Sequence, residues 1–459
     1  MERSAAKDPD AEIATTSPRQ WKPSRFNLTA RDPAGSLLVF NTFSGAFLQF
    51  RDEFADRVDA LLRGAAADAA ADPAPALISN GVLVPAEADE LRRAKTVHDS
   101  FAQRTDRLSL IIMPTEKCNF RCTYCYEDFA RGRMPAAVQR AVLRLVEREA
   151  PSLRTLRISW FGGEPLAAVE VIEALSAGML AECRRRDIAY GASITTNGYL
   201  LDAGKAARCL AAGIEHFQVT LDGPARTHDT LRVLANGGPT FDTILANLRR
   251  LHAMNERFTV SLRVNYTPSV AAELPEFLRF LGEEFGDDPR FEVNCHAVGH
   301  WGGPHDELVE TCDAQSEDDV RVAFMRDATG AGFNLDFWKA SMQWHGSACY
   351  AADPRSFVIG SDGSLYKCTV ALSDPRNQIG RVRTDGTLDI SSELHDLWVH
   401  SGEEQDAGCR QCAFRPACHG NYCPWERIEN GAKTCPPVKI HPDRYLPVIA
   451  VAGRRSGPA

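Results

Sequence analysis

Three cysteines, Cys118, Cys122 and Cys125, stand in the run CNFRCTYC with spacing C-x3-C-x2-C. Three thiolates on one tight loop can ligate three irons of a four-iron cubane and leave the fourth iron open to a chelating ligand. Zinc is the competing ion, but it calls for a fourth ligand nearby and none follows within the loop. Downstream comes Phe161-Gly162-Gly163-Glu164-Pro165. Two glycines let backbone carbonyls come close to a bound ammonium, and Glu164 brings the complementary charge. Thr195-Thr196-Asn197-Gly198 and Thr220-Leu221-Asp222-Gly223-Pro224 follow, then His228, Asp229 and Arg232. In a pocket this acidic, Arg232 is the bidentate partner a carboxylate ligand would need. For Asn197, Asp222 and His228, turn and helix-cap roles compete with ligand binding. The C-terminal third adds Cys349, the pair Gly363-x4-Cys368, the series Cys409-x2-Cys412-x5-Cys418-x4-Cys423, and Cys435. A zinc-ribbon-like site on Cys409, Cys412, Cys418 and Cys423 is one way to use part of this set. Cys183, Cys209, Cys295 and Cys312 have no patterned partners and read as ordinary thiols.

The elements that must hold these residues are legible as a repeat. Strands are predicted at 108–113, 156–160, 191–195, 217–221, 258–267 and 291–296. Helices lie between them, such as 135–149 with the stripe Val138, Val142, Leu145, Val146, and 241–255 with Ile244, Leu245, Leu248 and Leu251. Six βα repeats imply a parallel sheet curled into a full or partial barrel, with functional groups at the strand C-terminal ends. The cysteine run follows the first strand, the glycine turn the second, Thr195–Gly198 the third and Thr220–Pro224 the fourth.

Outside the barrel, residues 1–20 read as a disordered leader. Residues 21–92 read as a small hydrophobic unit. It has two strands, 25–29 and 36–41, about an Asp-Pro-Ala-Gly turn, then a helix carrying Phe47, Phe50, Phe54, Val58, Leu61 and Leu62, a loop at 64–75 and a closing segment 77–84. Helix and strand together in so small a lobe suggest a winged-helix-like module. The barrel takes 108–300, a connecting region 301–347, a cysteine-rich domain poor in helix signal 348–445, and a tail 446–459.

Composition narrows the function classes. Of 459 residues, 44% are hydrophobic and 25% charged, an ordinary globular balance that suits several domains. A formal charge of −9 argues against nucleic acid or an anionic membrane as partner, and the basic run at 184–186 reads as a solvated helix face. No run is long and apolar enough for a membrane span, and the first residues lack a secretory apolar core. A cytoplasmic location is the expectation. Fourteen cysteines in such a chain point to metal ligation rather than disulfides.

Taken together, the cysteine loop, the glycine-glycine-glutamate turn and the Thr220–Arg232 segment resemble the radical S-adenosylmethionine (SAM) superfamily. The resemblance implies a [4Fe–4S] cluster on Cys118, Cys122 and Cys125 that cleaves SAM reductively. It also implies SAM contacts from Tyr124 (adenine), Gly162, Gly163 and Glu164 (methionine amino group), Asn197, Thr220 (ribose), Asp222 (pocket shape) and Arg232 (carboxylate). The seven C-terminal cysteines resemble the SPASM extension of the same superfamily, which carries two auxiliary [4Fe–4S] clusters. By order, Cys349, Cys368 and Cys423 would hold the first, with one iron open, and Cys409, Cys412, Cys418 and Cys435 the second. Four residues separate Cys418 from Cys423 where three are usual, and the eleven before Cys435 are fewer than typical. The implied architecture is an α/β partial (β/α)6 TIM-like radical SAM barrel with an N-terminal winged-helix-like module and a C-terminal SPASM domain. Three clusters, SAM and a low-potential donor such as flavodoxin or ferredoxin go with it.

Enzymes with this extension mostly modify peptides, and residues 37–46 and 78–85 resemble the precursor-recognition elements of peptide maturases, which bind a leader peptide as an added strand. The expected function is an intramolecular carbon–carbon, carbon–sulfur or carbon–oxygen crosslink in a ribosomally made precursor peptide. Anaerobic sulfatase maturation, which makes formylglycine, is the alternative. It uses an aspartate after the second auxiliary-cluster cysteine, and here that residue is Thr369. A non-catalytic iron–sulfur carrier or peptide-binding chaperone is disfavoured, because neither needs a SAM pocket. No residue is identified as catalytic base.

Overall fold

The computed structural model describes residues 20–303, 306–431 and 433–453; the expectation for 1–20 falls, apart from residue 20, outside them. The barrel strands are β1 (Arg107–Ile112), β2 (Thr155–Trp160), β3 (Ala189–Thr196), β4 (Ile214–Thr220), β5 (Thr259–Tyr266) and β6 (Phe291–Ala297). They pair in parallel in sequence order. In β1, buried Leu108, Leu110 and Ile112 alternate with half-buried Arg107, Ser109 and Ile111. That period of two sends one face to the helices and leaves the other to line the barrel. Helix Ala136–Glu149 seats Ala141, Val142, Leu145 and Val146 in the same core. All six strand expectations have their counterpart here, with the ends moved by a few residues.

The sheet does not stop at β1. A seventh strand, β7 (Ser356–Ile359), pairs in parallel with β1, Ser356 opposite Ser109 and Ile359 opposite Ile112. Antiparallel β8 (Ser364–Tyr366), β9 (Gln378–Val382) and β10 (Leu388–Ile390) continue it. One ten-stranded sheet therefore runs from β6 through β1 to β10, and Cys349 and Cys368 flank its β7–β8 hairpin.

Several sequence expectations need correcting. Phe47 and Phe50 lie on a strand, Phe47–Phe50, not on the following helix, Asp52–Leu62. The Asn41 side chain accepts from Phe43 N and Ser44 N at 3.0 and 2.9 Å, and Gly45 takes a φ of +74°. The chain reverses there and pairs Phe47 with Phe40. The last third is not poor in helix: Ala314–Gly330, Ser392–Val399 and Pro442–Gly453 are all present. The first lies in the supposed connection, capped by Asp313 Oδ1 on Ser316 N at 2.8 Å. The last runs through the boundary expected between 445 and 446. Among the described residues no helix is long and apolar enough to cross a membrane.

That last helix changes the status of the N-terminal unit. Strand Leu37–Asn41 is buried on both faces. Leu37 and Val39 pack with Val58, Leu77 and Val82 of the unit itself. Leu38 and Phe40 pack with Met325, Leu335, Tyr445 and Leu446 from the far end of the chain. The unit is thus clamped into the body. Phe40→Ala is expected to cost about 3–5 kcal/mol, seen as a lower denaturation midpoint and faster proteolysis of the C-terminal helix. Phe54→Ala, at a side chain 39% exposed, is expected to change little. Equal effects from the two would refute the clamp.

Candidate functional site

The cysteine loop leaves the C-terminal end of β1 and is strapped down. Its centre, Phe120–Cys122, pairs antiparallel with Arg232–Leu234, and Cys122 stands opposite Arg232. Thr123 N donates to Leu231 O at 2.9 Å and Ala235 N to Asn119 O at 2.8 Å, lengthening the ladder at both ends. Cys118 Sγ accepts from Phe120 N at 3.3 Å and from Asn197 Nδ2 at 3.8 Å. Burial, then nearby negative groups, push the Cys118 and Cys125 thiols up to about 12. Left free they keep their protons at neutral pH, so ligation to iron must displace those protons.

The glycine turn serves loop packing. Gly162 has a φ of +114°, and a Cβ there would sit 2.4 Å from Thr115 O. A Cβ on Gly163 would sit 2.6 Å from Glu116 O and Lys117 O, the residues just before Cys118. Glu164 N donates to Lys117 O at 3.0 Å. The Glu164 carboxylate is held by partners on both of its oxygens. It is fully buried and accepts from Leu166 N at 2.9 Å, Thr196 Oγ1 at 2.7 Å and Asn197 N at 2.8 Å. Its place is that of a bolt between the turn and the end of β3.

Across the cavity lies a second buried network. Arg232, 7% exposed, donates from Nη1 to Tyr124 OH at 2.7 Å and faces Asp222 Oδ2 at 3.6 Å. Tyr124 OH also bonds Asp222 Oδ2 and accepts from Asn265 Nδ2 at 3.2 Å. Asp222 N donates to His228 Nδ1 at 3.0 Å, and His228 Nε2 lies 3.1 Å from Thr240 Oγ1. Burial and the Arg232 charge push His228 down to about 2, so it stays neutral. With Nδ1 accepting, its proton sits on Nε2 and goes to Thr240, whose hydroxyl donates to Arg232 O at 2.7 Å. His228 and Asp222 thus support Arg232, from behind and in front.

Cys118, Cys122, Cys125, Tyr124, Gly162, Gly163, Asn197, Thr220 and Arg232 line one cavity of about 150 Å³. The fit to a chelated cluster rests on the donor set. Three thiols from one strapped loop line the cavity that Arg232 also lines, and three thiolates suit a four-iron cubane whose fourth iron takes a chelating ligand. Arg232 Nε is buried without a partner, a donor held ready for an anionic ligand group.

The C-terminal cysteines sort into two neighbourhoods. Burial pushes Cys349 up to about 12, and Cys368 and Cys423 lie close enough to add to the shift. Cys418, likewise raised to about 12 by burial, has Cys409 and Cys435 as its charged neighbours. Cys412 N donates to Cys409 O at 3.2 Å, and Cys412 Sγ accepts from Phe414 N at 3.3 Å. Arg427 Nη2 reaches Cys409 Sγ at 3.1 Å and Lys439 Nζ reaches Cys435 Sγ at 3.9 Å. Cys423 in turn has Cys368 as a charged neighbour. Thr369 N donates to Tyr350 OH at 2.9 Å, and the two hydroxyls are 2.8 Å apart.

Sequence reading missed Tyr126, Glu127 and Arg263. Tyr126 is held protonated by burial and senses both Cys125 and Cys368, so it stands between the two cysteine groups. Glu127 is pushed up to about 8 by burial with Glu116 and Asp128. Arg263 projects from β5 beside Asn265, with Nε to Oδ1 at 2.8 Å. The signal for the first two was their place in the cysteine loop; Arg263 falls at an alternate position of a strand and had none.

Residues 112–281 match the Radical SAM superfamily model. A cysteine-type anaerobic sulfatase-maturating enzyme of Clostridium novyi is 24% identical over 337 residues, 68% of this chain and 86% of that protein. PqqA peptide cyclase of Gluconobacter oxydans is 28% identical over 344 residues, 73% of this chain and 91% of that protein. The solved structure of anSMEcpe with bound AdoMet and Kp18Cys peptide superposes with a TM-score of 0.58 at 19% identity, over 76% of this chain and 99% of that one. With its cysteine loop, glycine turn and buried arginine gathered at the C-terminal ends of a parallel sheet, the chain carries a domain of the Radical SAM superfamily over residues 112–281, a family that implies SAM and a [4Fe–4S] cluster.

Proposed function

We propose that this enzyme is a peptide maturase that installs an intramolecular crosslink in a ribosomally made precursor. The observation that carries the reading is a cavity of about 590 Å³ where the cysteine loop meets the C-terminal region. It is lined by Tyr126, Glu127 and Asp128 of the cysteine loop and by Tyr366, Leu372 and Gln378 of the C-terminal region. A peptide segment seated there meets hydrogen abstraction on one side and an electron acceptor on the other. The PqqA cyclase relative supports a peptide substrate.

Cys118, Cys122 and Cys125 hold the SAM-binding cluster. Cys349, Cys368 and Cys423 hold one auxiliary cluster, and Cys409, Cys412, Cys418 and Cys435 the other. The chemistry such clusters would supply is a SAM-derived radical for hydrogen abstraction at the first site and an acceptor for the leftover electron at the other two. Arg232 holds the SAM carboxylate through the guanidinium edge that Tyr124 and Asp222 leave free. Tyr124, Asn197 and Thr220 shape the remaining pocket, and Gly162 and Gly163 keep its floor tight against the cysteine loop. The substrate loses one hydrogen atom, then one electron and one proton, so the closed product is two hydrogens lighter.

The N-terminal unit is the leader-binding element. A groove of about 880 Å³ runs between Phe43 and Ser44, the turn at Asn80 and Gly81, and helix Glu90–Ala102, with Phe26, Val84 and Val97 as apolar wall. Flavodoxin or ferredoxin is the fitting electron donor, and the cytoplasm the fitting place.

Formylglycine formation is the second reading, favoured by the sulfatase-maturating relative. It asks for a carboxylate beside the open auxiliary site. Thr369, bonded to Tyr350, cannot take a proton at neutral pH.

Replacing Cys118, Cys122 and Cys125 together by Ala is expected to abolish SAM cleavage and remove about four of about twelve irons per chain. Zinc in the C-terminal sites, or no iron left after the replacement, would contradict the ligand assignment. Arg232→Gln is expected to raise the KM for SAM about 10- to 100-fold with iron content unchanged; an unaltered KM would remove Arg232 from the SAM site. The product assay uses a short peptide encoded beside the gene, incubated anaerobically with SAM and reductant. Mass spectrometry is expected to show a loss of two hydrogens and suppressed fragmentation between the joined residues, more slowly for a peptide lacking its leader. An aldehyde made from a sulfatase-type cysteine or serine, with no ring product, would overturn the reading.

A further inference from the structure

We propose that His98, His345 and His419 form a binding site for a zinc-type divalent cation that ties helix Glu90–Ala102 to the cysteine-rich C-terminal region. The three come from separate parts of the chain. His98 is on that helix, His345 follows helix Asp336–Met342, and His419 ends helix Arg415–Cys418. One ligating nitrogen from each lies within 4.8 Å of the other two. His98 Nδ1, His345 Nε2 and His419 Nε2 are buried and make no hydrogen bond. Buried polar atoms are as a rule satisfied, so three unsatisfied nitrogens in one place mark a missing partner.

The surroundings favour a cation-binding imidazole. His419 is wholly buried, and its Nδ1 lies 3.2 Å from Glu403 Oε2. An ionised carboxylate only accepts, so Nδ1 carries the proton and Nε2 is left with a lone pair. This is the carboxylate–histidine arrangement that orients metal-bound imidazoles. Glu403 is fixed in turn by Arg415, Nε and Nη2 donating at 2.6 and 2.8 Å. Burial foremost keeps His98 and His345 down at about 4 and about 3, so both rings are neutral and able to ligate. His345 and His419 also occupy left-handed backbone positions, with φ of +59° and +52°, where residues other than glycine are uncommon.

One adjustment goes with occupancy. The His98 and His419 rings stack, centroids 3.9 Å apart and planes 16° off parallel, whereas an imidazole lone pair points along its own ring plane. Loading the site turns His98 about its Cβ–Cγ bond, which no hydrogen bond to Nδ1 opposes. Three imidazole donors select zinc, copper or nickel over magnesium and calcium. Zinc's preference for four ligands leaves one position to water.

Zinc itself is the probe. The full-length enzyme, its iron–sulfur clusters reconstituted anaerobically, is given one equivalent of zinc and desalted. It is expected to retain about one zinc per chain with its iron content unchanged. X-ray absorption at the zinc edge is expected to show nitrogen and oxygen neighbours without sulfur. His98→Ala and His345→Ala are each expected to weaken zinc retention at least about ten-fold while keeping all iron. Zinc bound through sulfur, zinc gained at the expense of iron, equal retention by both variants, or none retained by the unaltered enzyme would each overturn the site. The absorption spectrum is read on the unaltered chain, so it decides even where a variant fails to fold.

Discussion

Everything at the site depends on the short ladder that sets Cys122 opposite Arg232. A loop carrying three ligands is useful only if it is stiff, and three residues paired with three are enough to stiffen it. The same ladder brings a guanidinium into a cavity that is otherwise lined by thiols, aromatic rings, small polar groups and Glu127. Burying an arginine costs several kcal/mol unless partners compensate it. Asp222, 3.6 Å away, supplies the charge, and Tyr124 fills the space between. His228 and Thr240 anchor the backbone of Arg232 from behind. The ion pair is left incomplete on the cavity side, which is what a site for a zwitterionic ligand requires.

The extended sheet imposes the second constraint. Because β7 pairs with β1, the hairpin flanked by Cys349 and Cys368 is held in register with the strand that launches Cys118. Two cysteine groups far apart in sequence are thereby placed on one rigid body, with Tyr126 between them. The chain's two ends are fastened to each other as well, through Leu38 and Phe40 against Tyr445 and Leu446. A unit clamped in this way holds the groove between Phe43, Gly81 and helix Glu90–Ala102 in a fixed relation to the barrel.

What was legible in the sequence follows from how local each signal is. The six barrel strands each carry their own alternation and their own turn, and they were readable one at a time. The pairing of Ser356–Ile359 with β1 spans nearly 250 residues, and nothing within SFVI announces its partner. Phe47 and Phe50 have a spacing that suits a helix face, but the Asn41 turn set them on a strand, a case of turn chemistry outranking periodicity. Glu164 was readable as a residue of the site, but its partners were not. Its motif marks the spot, and only the structure shows that Thr196 and Asn197 take both its oxygens. The histidine cluster was invisible because its members come from three distant segments.

Likeness of fold does not settle which reaction the radical serves, since one scaffold hosts many sites. The difference lies in single side chains near Cys368. A carboxylate at position 369 would set a negative charge beside Cys368 that calls for compensation, and the adjacent cation, Lys367, is wholly buried and already donates to Asp353 O and Ser356 O. Threonine needs no such compensation. Its hydroxyl pairs with Tyr350 and closes the corner where a base would stand. On the crosslink proposal this suffices, because bond formation to an acceptor that sheds its own proton to water places the smallest demand on the protein, whereas aldehyde formation asks for a base that Thr369 does not supply.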